Sequence, residues 1–226
     1  MVSTGLEQLD AVLGGEGYPE RSSILVRGPP GVGKEALGYW FIRSGLIAGD
    51  FCLYVTRLPV SEVLEDIKAF RIPTDRLPIW MASEGSELRC DISDLTSLSA
   101  SIKETLRKNS SSSDGKRIRI VTDVLSPLLM LNPADTVYRF FSQLLAGSKQ
   151  SNSVFLATIE DGMHQPQVLA AMEQLFDGVL ELRLYEEGPR VDPLFRVRKM
   201  RGMAPQPNYF RYEFLQGKME IRAYAK

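Results

Sequence analysis

The stretch "RGPPGVGKEA" (Arg27–Ala36) holds the residues whose types and spacing are best suited to chemistry. Gly28, Pro29, Pro30, Gly31, Val32, Gly33 and Lys34 fit the spacing G-x-x-x-x-G-K. Glycines there let the backbone bend until successive N–H groups point inward at an anion, and a helix beginning at the lysine adds its N-terminal dipole. Lys34 supplies a point charge for the outer phosphates of a nucleotide. The expected nucleotide-binding segment therefore runs from Gly28 through Glu35 and Ala36. A hydroxyl commonly follows the lysine of such loops, whereas Glu35 offers a carboxylate: a competent hard-cation ligand, but one that adds negative charge beside a triphosphate.

Asp123 ends the apolar run of "RIRIVTDVLSPLL". In an open α/β sheet that places its carboxylate at the C-terminal rim, beside the phosphate loop, where it would hold Mg²⁺ directly or through water. Asp123 and Glu35 are the expected metal-side residues. Other polar residues carry weaker signals. Glu160 and Asp161 follow the strand-like "SVFLAT" and are placed to sense phosphate; His164 lies in the polar "EDGMHQPQ", where a lone histidine is ordinarily solvated or structural; Tyr185 and Arg190 flank a turn and are candidates to touch a base.

The elements that must position these groups alternate. Apolar runs at Ser23–Arg27, Phe51–Thr56, Arg117–Thr122, Ser153–Thr158, Gly178–Leu184 and Phe195–Met200 read as strands, with a late edge near Arg211–Phe214. Between them, helical periods recur: Leu37, Trp40, Phe41; Val63, Leu64, Ile67, Phe70, with Ser61 placed to cap; Ile92 through Leu106; Val137 through Leu145; and Val168 through Phe176, with Gly178 placed to close the helix in a left-handed turn. Such alternation implies an α/β fold: a mostly parallel central sheet with helices on both faces. "NSSSSDGKR" (Asn109–Arg117) reads as a surface loop.

With 226 residues, 44% apolar and 24% charged, the chain fits one soluble globular domain spanning 1–226. No apolar run is long enough to span a bilayer, and no secretory leader is apparent, so a cytoplasmic setting is expected. A net charge of −1 argues against general nucleic-acid binding. One histidine and two distant cysteines, Cys52 and Cys90, make neither a zinc site nor a disulfide framework.

Taken together, "STGLEQLDAVLGG", the phosphate loop, "IVTDVLSPLL", "EDGMHQPQVLAAMEQLFDGVLELRL" and "FRVRKMRG" resemble the RecA-like ATPases of the KaiC type, especially their single-domain archaeal relatives. The resemblance covers roughly residues 3 to 215. It implies a RecA-like fold with a C-terminal antiparallel edge, ATP and Mg²⁺ as cofactors, and homo-oligomeric rings, often hexameric, with ATP between subunits. It also maps the family's K-x-R onto Lys199 and Arg201, which would reach a neighbour's phosphates. Residues two apart on a strand face one side, so both cations would converge on one anion. The chain departs from the family where "VTFEE" becomes Val55-Thr56-Arg57-Leu58-Pro59. The glutamates that would activate water are replaced by Leu58 and Pro59, and loss of a general base costs about 10²–10⁴ in rate. Glu62 lies a turn further on and would have to reach back, and Val124 replaces a serine that often follows the aspartate. The expectation is an ATP-binding domain whose hydrolysis is weak or absent and whose nucleotide controls assembly or a signalling state toward an unidentified protein partner. The alternatives are an active Mg-dependent ATPase with another base, and a recombinase-like DNA-binding module.

Overall fold

The computed structural model of the chain describes residues 1–73, 80–81, 94–111, 116–204, 208–215 and 218–224. Cys90, Ile92 and part of the Ser-rich stretch lie outside them. In chain order the elements are α1 (Glu7–Val12), β1 (Ser23–Gly28), α2 (Lys34–Ala48), β2 (Phe51–Val55), α3 (Val60–Ala69), β3 (Trp80–Met81), α4 (Leu95–Ser111), β4 (Ile118–Thr122), α5 (Leu125–Leu131), α6 (Ala134–Gln150), β5 (Ser153–Glu160), α7 (Pro166–Leu175), β6 (Gly178–Glu187), β7 (Arg190–Met200), β8 (Phe210–Leu215) and β9 (Lys218–Ala223).

The strands form one sheet in the order β3-β2-β4-β5-β1-β6-β7-β8-β9. Every pairing from β3 to β6 is parallel, and β6 through β9 are antiparallel. This is the expected mostly parallel sheet with an antiparallel C-terminal edge. The central strands β1, β4 and β5 are almost wholly buried, which explains their near-continuous apolar sequence. Two apolar cores lie on the two faces of the sheet. One gathers Leu37, Phe41 and Ile42 of α2 with Val63 and Ile67 of α3. The other gathers Leu98 and Ile102 of α4, Leu125 and Leu128 of α5, Phe141 and Leu144 of α6 and Met172 of α7. Cys52 is a free, buried thiol, and burial pushes its pKa up to about 12, so it acts as a small hydrophobe.

Two expected helix ends are corrected. Ser61 does not cap α3: Pro59 is the N-cap residue, and no side chain caps it. Gly178 does not close α7, which ends at Leu175 with Phe176 extended. Gly178 instead opens β6, where a Cβ would sit 2.8 Å from both Ile24 and Met200, so close packing demands the glycine.

Candidate nucleotide site

The phosphate loop follows β1 and leads into α2, as its spacing demands. Gly33 caps α2 in the left-handed region (φ 88°), and Gly31 is left-handed too (φ 76°) with open space where its Cβ would stand. Gly33 is doubly constrained, because an added Cβ would come 2.4 Å from the Phe214 ring of β8. Tyr212, on the same strand, donates its hydroxyl hydrogen to the Val32 carbonyl at 2.5 Å. The C-terminal edge of the sheet therefore braces the loop from behind. Nothing in the local sequence of the loop signals this brace.

A cleft of about 500 Å³ opens beside the loop, lined among others by Pro30, Glu35, Arg57, Leu58, Asp123 and Glu160. Asp123 follows β4 directly. Its Oδ2 accepts hydrogen bonds from Tyr54 (2.9 Å) and Thr56 (2.7 Å), whereas its buried Oδ1 has no hydrogen-bond partner among the described residues. Burial raises the Asp123 pKa, the two hydroxyls oppose the rise, and the negative charge of Glu35 adds to it. A buried carboxylate oxygen with no partner is costly unless something cationic completes it. The residues present therefore fit a hard divalent cation, with Asp123 and Glu35 as oxygen donors.

Lys34 is buried, and its Nζ donates to the Pro29 carbonyl and to Glu160 Oε2, each at 2.9 Å, with Glu35 Oε1 at 3.7 Å. Glu160 ends β5 opposite Gly28 of β1, so strand pairing aims its carboxylate at the loop. Its N–H donates to Ser126 Oγ at 2.9 Å, and the same oxygen lies 2.9 Å from His164 Nε2. His164 is thus tied to the wall of the cleft, and burial lowers its pKa. Ser126, Pro127, Met130 and Leu131 all come from α5, a short helix that the sequence periods did not reveal.

Other expectations fare differently. Asp161 does not line the cleft; it accepts from Arg27 at 2.9 Å, and Arg27 also pairs with Glu173. Tyr185 and Arg190 sit near the tip of the β6–β7 hairpin, and neither lines the cleft. Glu62 is exposed on α3 and absent from the lining, while Leu58 is part of it. Arg201 lies one residue past the end of β7 at Met200, although its N–H still donates to the Asp177 carbonyl at 2.9 Å. Lys199 and Arg201 both point to the junction of α7 and β6. Lys199 Nζ donates to the Phe176 carbonyl at 2.6 Å, and Arg201 Nη1 lies 3.4 Å from Asp177 Oδ1. That junction is level with Ile24, at the start of β1, about 13 Å of strand from the chain's own phosphate loop.

The fold and the loop define a RecA-like ATPase domain. The sequence matches the family model described as "ATPase: KaiC" over residues 2–223. It is 28% identical over 208 residues to circadian clock protein KaiC2 of Synechocystis sp., covering 90% of this chain and 36% of that one. The chain therefore spans about a third of that relative's length. It is 30% identical over 224 residues to the UPF0273 protein MK0039 of Methanopyrus kandleri (90% and 84% covered) and 28% identical over 223 residues to a UPF0273 protein of Thermotoga maritima (89% and 87% covered). The chain belongs to the KaiC-like ATPase family. No helix among the described residues is long and apolar enough to cross a membrane.

Proposed function

We propose that this chain is a single ATP-binding domain that hydrolyses nucleotide weakly or not at all, and whose nucleotide controls assembly of a homo-oligomer or a signalling state. The observation that carries the reading is the content of one cleft: Asp123 and Glu160 line it, Lys34 pairs with Glu160 from behind, and Leu58 lines it where the family places a glutamate. Gly28 to Gly33 would supply backbone donors, Lys34 would bind the β- and γ-phosphates, and Glu35 with Asp123 would hold Mg²⁺. When bound, the metal would neutralise phosphate charge. Leu58 cannot accept a proton from water, and Glu62 stays outside the cleft. Lys199 and Arg201, remote from the chain's own loop, would serve a neighbouring subunit in a ring, in a cytoplasmic setting.

Two measurements test this. Labelled ATP is titrated against the wild type and Lys34→Ala; the expected loss in the variant is about 10²-fold or more, as for a charged group that meets phosphate directly, and equal affinities refute the reading. Mass in solution is then measured with and without Mg-ATP, and the bound nucleotide is assayed after long incubation. Larger assemblies holding intact triphosphate are expected. Diphosphate appearing faster than about 0.1 per second would instead make the chain an ordinary ATPase.

A further inference from the structure

Lys34, the ammonium placed for phosphate, already holds an anion. Of its three N–H donors, one goes to the Pro29 carbonyl and one to Glu160 Oε2. Glu160 is held firmly: β5 fixes its backbone beside Gly28, and Ser126, backed by His164, holds its N–H. Its carboxylate therefore reaches Lys34 from an ordered strand end rather than from a wandering loop. The surroundings are already anionic. Glu35, Asp123 and Glu160 carry three negative charges against the two positive charges of Lys34 and Arg57.

We propose that Glu160 stands on Lys34 where a terminal phosphate would sit, and so makes the site discriminate between nucleoside diphosphates and triphosphates. The proposal rests on the nucleotide-binding reading above and adds a selectivity to it. The third donor of Lys34 can serve a β-phosphate oxygen while the pair with Glu160 stands. A γ-phosphate must displace Glu160 and then lie beside its freed carboxylate, a like-charge contact in a partly desolvated site. Displacement also pulls on the strand end that Ser126 and His164 hold, so triphosphate alone should be felt at His164.

The test uses the untagged full chain with Mg²⁺ present. Calorimetry of ADP and of a non-hydrolysable ATP analogue is run on wild type, Glu160→Gln and Lys34→Ala. Glu160→Gln is expected to tighten the triphosphate by about 10- to 100-fold, the scale of one charged hydrogen bond, and to change ADP by less than about threefold. An unchanged triphosphate-to-diphosphate ratio, with wild-type binding intact and Lys34→Ala impaired, overturns the selectivity and leaves the nucleotide reading standing. Absence of binding to both wild type and Glu160→Gln overturns both. A second measurement needs no variant. His164 is the single histidine of the chain, so its imidazole gives one Hε1 NMR signal. That signal is expected to move with the triphosphate analogue and to stay in place with ADP. Equal movement with both, or none with either, overturns the proposal.

Discussion

The two ends of β1 each carry a carboxylate that receives a lysine, yet they are finished differently. At the start of the strand, Asp177 accepts from the Ser23 N–H (2.9 Å), the Ser23 hydroxyl (3.0 Å) and Lys149 (2.8 Å), with Arg201 at 3.4 Å. Burial alone would raise its pKa, but these partners outweigh burial and lower it. At the far end, Lys34 is shared between Glu35 and Glu160, while Asp123, just past β4, keeps one buried oxygen with no partner among the described residues and a raised pKa. One end is complete and serves the fold. The other is left incomplete, and incompleteness in a buried polar group marks a place that expects a ligand.

Substitutions can break or sharpen that contrast. The largest effect is expected from Gly33→Ala, which combines a left-handed backbone with a methyl driven into the Phe214 ring. About 3 kcal/mol of stability should be lost, read by urea denaturation, with nucleotide binding lost as well. Next, Asp177→Asn should cost about 2 kcal/mol at pH 7. Because the folded-state pKa is depressed, that contribution is fully present above the unfolded value and fades as pH falls through the folded one. Wild type and variant should therefore converge in denaturation curves as the pH is lowered below the ordinary carboxylate range. Asp123→Asn should act in the opposite sense. Its raised pKa means that the ionised form weakens the folded state, so the neutral variant should gain about 1 kcal/mol without ligand at pH 7, and the gain should vanish where both states are protonated. The same variant should lose about tenfold in Mg²⁺-dependent nucleotide affinity by calorimetry. If both asparagine variants lose stability equally, the contrast between the two ends fails. Smallest is Arg57→Ala, an exposed cation on the cleft. It should weaken binding by about two- to threefold, and the difference should disappear in about 0.5 M salt.

Much of this was legible in the sequence. The strands declared themselves because β1, β2, β4 and β5 are buried on both faces, so their apolar runs are nearly unbroken. The phosphate loop and Asp123 follow from spacing and from position at a strand end. The partners of these residues did not show, because a parallel sheet joins strands far apart in the chain. Glu160 meets Lys34 across 126 residues, Ser126 meets His164 across 38, and Tyr212 meets Val32 across 180. α5 escaped notice because seven residues containing Pro127 are too few to display a period. Lys199 and Arg201 do reach one junction although β7 ends at Met200, but their partners there, Phe176 and Asp177, did not show in the sequence.

Tyr212 and Phe214 press on the loop from a strand that follows it by some 180 positions. The shape of the anion cradle is therefore held partly by a late-arriving ribbon, and the first thirty-odd residues cannot acquire it on their own during synthesis. A protease nick ahead of Phe210 would leave most of the sheet intact and blunt the cradle. Loss of binding would then come before loss of structure.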